Sequence, residues 1–243
     1  MSNSTPLDHS QQDAEGVRNF FDQWHIYRKV VDLNYLHHRE TAEAIGKVIS
    51  KITKPFSFID LGAGDAEGTS RVLAGSPIKS YEAVDLSSIA LGYAEKNLAA
   101  LDCPKKFTQA NFFEYVTETR SQYDIAFIGL SFHHLQREEK RRFYAKMRRI
   151  LPSGGKYLFY EPICRSGEAR DVFMKRWWDE TFSKWDKMTP DELQKIWAHV
   201  SENDYPEPIE VYTEMALENG FKEANVLFVT DDKFYAAFEC IAD

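Results

Sequence analysis

The stretch FIDLGAGDAEG, Phe58 to Gly68, decides how this chain is read. An apolar run stops at Asp60 and breaks at once into Gly62 and Gly64, with Asp65 and Glu67 close behind. A strand that ends in Asp-x-Gly-x-Gly and feeds a helix marks a nucleotide-type site, because glycine lets the backbone approach a ligand at the carboxyl end of a strand. Two ligand classes compete for such a turn. The diphosphate of a dinucleotide wants bare amides at a helix N-terminus and a Gly-x-Gly-x-x-Gly spacing. Here Glu67 stands where that spacing puts the third glycine, and Asp60, Asp65 and Glu67 would surround a diphosphate with like charge. A ligand with an ammonium and a sulfonium and no phosphate tolerates the turn, and Asp60 can help hold its amino-acid end.

Outward from the turn, short apolar runs alternate with helix-length segments: FSFIDL, SYEAVDL, KFTQA, YDIAFIGL and GGKYLFYEP, then ANVLFVT and FYAAFEC. That alternation predicts βαβ units and a parallel sheet covered on both faces. Three residues, Asp231 to Lys233, separate the last two runs, too few for a parallel crossover, so an antiparallel hairpin closes one edge. The second run ends at Asp85 and Leu86, 21 and 22 residues after Gly64, where a carboxylate suits ribose hydroxyls. Asn111 and Phe112 end the third, an amide for an adenine edge and a ring to pack near it; Asn111 as a plain turn residue is the alternative.

These motifs, in this order over about Phe56 to Asp243, resemble the class I S-adenosylmethionine (SAM)-dependent methyltransferases that modify small molecules. The glycine turn, Asp85, Asn111, YDIAFIGLSFHHL and LPSGGKYLFYEP carry the resemblance, and Ala66 departs from it where the family often has a third glycine. The resemblance implies a three-layer α/β, Rossmann-like fold with a seven-stranded, mostly parallel sheet and one antiparallel edge hairpin strand. It also implies SAM as cofactor, with Asp60, Gly62, Gly64, Asp85, Leu86, Asn111 and Phe112 around it; no metal is expected, since no Cys or His cluster has metal-ligand spacing. His133 and His134, just after the fourth strand, fall where the family places its acceptor. Histidine is suited to removing an acceptor proton, although the pair would equally serve to shape the loop.

Ahead of the turn, aromatic residues predict one or two helices over the cofactor, with Tyr27 against it and Tyr35 toward the substrate. Residues 166–208 read as an inserted helical cap, in which Trp178, Phe182 and Trp185 follow i, i+4, i+7 spacing and Trp177 and Trp197 add rings. Such a stripe is core or acceptor cage; Trp178 and Trp197 are the candidate substrate residues, which would favour an aromatic or amine acceptor. Thr189, Pro190 and Glu192 spell a helix start inside it. The organisation read from sequence is a disordered leader, 1–17, and a single domain, 18–243, with a helical lid at 18–52.

With 243 residues, 43% hydrophobic and 28% charged, the chain suits one ordinary core, and no run reaches the roughly 20 apolar residues of a membrane span. A net charge of -8 works against a nucleic-acid substrate. The basic run Arg137 to Arg149 keeps helical apolar spacing, which places its cations on a solvated helix face. Three separated cysteines with no metal-ligand spacing indicate a reducing, cytoplasmic setting. The expectation is methyl transfer to a nitrogen or oxygen of a small molecule, without membrane or nucleic-acid partners; oligomeric state is left open. A methyltransferase of RNA or protein, a non-catalytic SAM binder and a dehydrogenase are the competing readings.

Overall fold

Six consecutive buried residues, Phe56–Leu61, form β1 of the computed structural model, which describes residues 24–243. The leader expected at 1–17 and the first part of the expected lid lie outside the described residues. A strand buried on both faces belongs inside a parallel sheet, and β1 pairs in parallel with β2 (Ile78–Asp85) on one side and β4 (Ile125–Gly129) on the other. With β3 (Lys105–Gln109), β5 (Lys156–Pro162), β6 (Phe221–Val229) and β7 (Tyr235–Ala242), the order is β3-β2-β1-β4-β5-β7-β6. Strands β1 to β5 run parallel; β7 is antiparallel to both β5 and β6. The chain leaves β1 toward β2 and returns to β4 on the other side, so a crevice opens at the carboxyl ends of β1 and β4, where ligands bind in open α/β sheets. The seven strands, mostly parallel with a closing hairpin, are those expected from the sequence.

Among the described residues two helices precede the sheet, α1 (Trp24–Asp32) and α2 (His38–Ile49). Helices α3 (Glu67–Leu73), α4 (Ser88–Asn97), α5 (Phe112–Glu118) and α6 (Arg137–Ile150) link β1 to β5. Between β5 and β6 come α7 (Arg170–Glu180), α8 (Pro190–Asn203) and α9 (Ile209–Glu218). Helix α8 starts at the capping box read from the sequence: Glu192 N donates to Thr189 Oγ1 at 3.3 Å and Thr189 N donates to Glu192 Oε2 at 2.7 Å. The same Glu192 carboxylate receives Lys29 Nζ at 2.7 Å, tying α8 to α1.

Two expectations change. Helix α7 ends at Glu180 and Thr181 leaves helical geometry, with φ −126° and ψ −75°; a 3₁₀ turn, Phe182–Lys184, follows. The i, i+4, i+7 spacing therefore does not place Trp178 with Phe182 and Trp185. Nor does every cation of α6 sit on a solvated face. Lys140 is fully buried, donates to the Tyr205 carbonyl and lies 3.6 Å from Glu207, while Arg137 donates to Glu207 at 3.1 Å. Arg148 and Arg149 donate to backbone carbonyls at the ends of neighbouring segments.

Buried residues form a cluster on each side of the sheet. In one, Phe159 stacks on Phe238 at 4.5 Å and on Tyr157 at 4.9 Å, with Phe132 edge-on at 5.9 Å. Among the described residues no helix is long and apolar enough to cross a membrane. Phe159→Ala is expected to cost about 3–5 kcal/mol of unfolding free energy, measured by urea denaturation; a loss below about 1 kcal/mol would mean that this stack does not hold β5 to β7.

Candidate functional site

Between Leu61 and Glu67 the chain reverses through three left-handed residues, Gly62 (φ 63°), Gly64 (φ 55°) and Ala66 (φ 52°). Gly62 must be glycine, since a Cβ would lie 2.9 Å from Ser131 Cβ. Ala66 adopts a conformation that glycine takes freely and alanine does not. The turn's amides point inward: Gly62 N and Ala63 N donate to Val84 O at 2.8 and 3.1 Å, and Gly64 N donates to Asp85 Oδ2 at 2.8 Å. Ala66 N donates to Ala63 O and Glu67 N to Asp65 Oδ1. A diphosphate needs such amides free, and here the chain itself uses them.

The acidity of the turn is also partly met from within. Arg28 of α1 donates to Asp65 at 2.8 Å, pairs with Glu67, and reaches Asp32 at 2.9 Å. This corrects the expectation that three open carboxylates face the ligand: Arg28 neutralises two of them, a partner that a position 37 residues upstream did not announce. Asp60 differs. It is 1% exposed and accepts from Tyr81 OH at 2.5 Å. Burial raises its pKa to about 7 against the Tyr81 hydrogen bond, with Asp85 and Asp65 adding to the rise.

Two cavities meet here. One, about 880 Å³ of empty space partly open to solvent, is lined by Asp60, Gly62, Gly64, Ser131 and Tyr160 among others. The second, about 610 Å³, is lined by Trp177, Phe182 and Trp185 on its aromatic side and by His133, His134, His199 and Asp204 on its polar side. Tyr27 and Leu130 line both.

Of the residues singled out from sequence, the structure brings Asp60, Gly62, Gly64 and Tyr27 to the first cavity and His133, His134 and again Tyr27 to the second. Asp85 sits behind the turn, with one oxygen on Gly64 N and the other on Ser87 N, both at 2.8 Å. Leu86, Asn111 and Phe112 are not in either lining. Leu86 O accepts from Gln109, Asn111 caps α5 through Phe113 N and Glu114 N, and Phe112 meets Phe143 edge-on at 5.4 Å.

Tyr35, Trp178 and Trp197, expected at the substrate, are likewise outside the second lining. Trp178 and Trp197 pack on each other at 5.0 Å, whereas Tyr35 stacks on Trp185 at 4.6 Å and supports that ring from outside. The end of α7 turns Trp177 inward in place of Trp178.

The polar side rests on two carboxylates that the sequence reading missed. Glu161, fully buried at the tip of β5, accepts from Ser131 N, Phe132 N and His133 N at 3.2, 2.9 and 3.0 Å and lies 2.5 Å from His133 Nδ1. The Tyr-Glu-Pro ending of GGKYLFYEP, an acid at a strand tip, was the available signal. Asp204, 3% exposed, places Oδ1 at 3.5 Å from His133 Nε2 and 3.2 Å from His134 Nδ1.

Burial works against the charge on His133, but Asp204 and Glu161 outweigh it and raise its pKa to about 10. The raised pKa disfavours His133 as a base in the free protein. Burial also opposes the charge on Asp204, yet the imidazoles hold its carboxyl well below the ordinary carboxylate range. Burial, with His134 beside it, pushes His199 down to about 3.

The chain is similar to known methyltransferases. Residues 58–155 match the family model described as a methyltransferase domain. An uncharacterized methyltransferase of Bacillus cytotoxicus is 26% identical over 156 residues, 62% of this chain and 69% of that one. The magnesium protoporphyrin IX methyltransferase of Synechocystis PCC 6803 with bound SAH superposes with a TM-score of 0.66 at 12% identity, covering 95% of this chain and all of that one. The S-adenosylmethionine-dependent methyltransferase SibL in its apo form gives 0.62 at 13% identity, over 89% of this chain and 57% of that one. At such identities the two structures show a likeness of fold.

Asp60 gives a pH signature. An acid whose native pKa lies above its unfolded value binds extra protons when folded, so its favourable contribution is complete below the usual carboxylate range and is lost as pH rises to about 7. Between about pH 4 and pH 8 the unfolding free energy of the wild type should fall relative to that of Asp60→Asn, by urea denaturation. Parallel curves for the two proteins would refute the assignment.

Proposed function

We propose that this chain, a class I S-adenosylmethionine-dependent methyltransferase, transfers the methyl group to a nitrogen or oxygen of a small molecule with an aromatic body. The observation that carries the proposal is the pair of cavities meeting at Tyr27 and Leu130, one at the glycine turn and one walled by Trp177, Phe182 and Trp185. The residues of the first fit SAM. Its cradle has room where a side chain would intrude at Gly62, its amides are closed to a diphosphate, and Asp60 supplies a carboxylate paired to a hydroxyl rather than to a cation. When bound, SAM supplies a methyl group already activated on its sulfonium.

Asp60 would receive the amino group of the cofactor. Asp85 holds the turn in shape through Gly64 N and Ser87 N, and the tips of β2 and β3, with Leu86, Asn111 and Phe112, would take the adenine end. Tyr27, common to both cavities, aligns donor with acceptor; positioning of this kind reaches effective molarities of roughly 10⁵ to 10⁸ M. His133, His134 and Asp204 meet the polar end of the acceptor. Methyl transfer to the acceptor nitrogen or oxygen would leave the sulfur neutral, and the acceptor's proton would pass to solvent.

A small acceptor is favoured over RNA because Arg137, Arg141, Arg148 and Arg149 of the basic helix are engaged within the chain. A relative in fold named for magnesium protoporphyrin IX supports a ring-bearing acceptor. The three free cysteines support a cytoplasmic setting.

Calorimetry with S-adenosylhomocysteine (SAH) should show binding that Asp60→Asn weakens about tenfold or more, equivalent to about 1.4 kcal/mol. Methyl-labelled SAM incubated with phenols and aromatic amines should pass label to an acceptor. Tight SAH binding with no transfer to any acceptor would replace the enzyme by a SAM-binding protein.

A further inference from the structure

We propose that His133 Nε2, His134 Nδ1 and Asp204 Oδ1 form a divalent transition-metal site on the polar wall of the second cavity, with Glu161 behind it. One donor atom from each of the three residues lies within 4.8 Å of the other two. The residues are 5%, 9% and 3% exposed, and all three line the cavity.

The distances fit a metal site as well as a network of long ion pairs. Asp204 Oδ1 is 3.5 and 3.2 Å from the two imidazole nitrogens, yet among the described residues no hydrogen bond of acceptable geometry reaches it. Buried carboxylate oxygens are rarely left so. In a tetrahedral site with bonds of about 2.0–2.1 Å, adjacent ligand atoms are roughly 3.3 Å apart. The two carboxylate-to-imidazole spacings are close to that edge, and His134 Nδ1 also lies 3.4 Å from Asn203 O.

The surroundings supply what a metal ligand requires. A ligating histidine donates its other ring N–H to a carboxylate, and His133 Nδ1 lies 2.5 Å from Glu161 Oε2, leaving Nε2 turned toward Asp204. Glu161 is itself held by the three amides of Ser131, Phe132 and His133. Asp204 is fixed through its backbone: its N–H donates to Val200 O at 3.1 Å and its carbonyl accepts Arg170 Nε at 2.8 Å. Tyr205 N donates to His133 O at 2.8 Å and ties the two ligand segments together. Two imidazoles and one carboxylate suit Zn²⁺, Fe²⁺ or Co²⁺ over Ca²⁺ or Mg²⁺.

Three protein ligands leave coordination positions open toward the cavity. An acceptor oxygen bound there would lose its proton to solvent more readily, which narrows the acceptor to an oxygen-bearing one. That last step rests on the acceptor reading above; the metal site does not.

The test uses the untagged full chain, stripped with EDTA and free of SAM, titrated with CoCl₂ by visible absorption and with ZnSO₄ by calorimetry. One equivalent should bind, with cobalt d–d bands of low coordination number. His134→Ala and Asp204→Ala should abolish saturable binding, while Glu161→Gln should keep the stoichiometry and weaken affinity 10- to 100-fold. SAH affinity reports whether each variant is folded. X-ray absorption of the zinc-loaded wild type, which needs no variant, should show imidazole scattering from two histidines. Absence of saturable binding by the wild type, undiminished binding by Asp204→Ala, or a zinc spectrum without imidazole each overturns the site. A metal-loaded protein that methylates nothing would leave the site standing and remove only the acceptor reading.

Discussion

The inward donation of the Gly62, Ala63 and Gly64 amides to Val84 and Asp85 is the constraint on which the site depends. Backbone amides at a strand-to-helix turn are the usual anchor for phosphate. Once they are spent on the neighbouring strand, the turn is a rigid floor instead of an anion nest. Asp85 is part of that floor, and its carboxylate does structural work that a ribose contact would have to share. What the floor offers a ligand is surface without side chains and, at one end, the buried carboxylate of Asp60.

Charge at the turn is distributed by tertiary contacts. Arg28 comes from a helix that precedes the sheet and closes on Asp65 and Glu67, so α1 is held over the turn by the residues that looked like open ligands. Lys29, next along α1, holds α8 through Glu192. One short helix thereby braces both the turn and the segment inserted after β5, and its Tyr27 stands at the junction of the two cavities. Lid, turn and inserted helices form one electrostatically linked frame.

Across the crevice, Glu161 organises the loop after β4 as Asp85 organises the loop after β1. A carboxylate at a strand tip receives the amides of the adjacent loop, and the loop conformation sets where the histidines point. Such a carboxylate is costly to bury and is compensated by several donors at once. The cavity beside it combines aromatic walls with a compact, charged floor.

The sheet was legible in the sequence because period and spacing are local. Buried runs such as FSFIDL announce parallel strands, the three-residue gap before FYAAFEC announces a hairpin, and Asp-x-Gly-x-Gly announces a turn whose backbone conformation only small residues tolerate. The Thr189 capping box was legible for the same reason. What tertiary structure alone decided were the encounters between distant segments: Arg28 with Asp65, Glu161 with His133, and Asp204 with both histidines. It also decided that Trp177 and not Trp178 faces the cavity, since the break at Thr181 interrupts the periodicity on which the stripe was read. Hydrogen-bonding periodicity and backbone conformational preference act between near neighbours in the chain, whereas charge pairing and cavity shape act between neighbours in space, and only the folded chain establishes which residues those are.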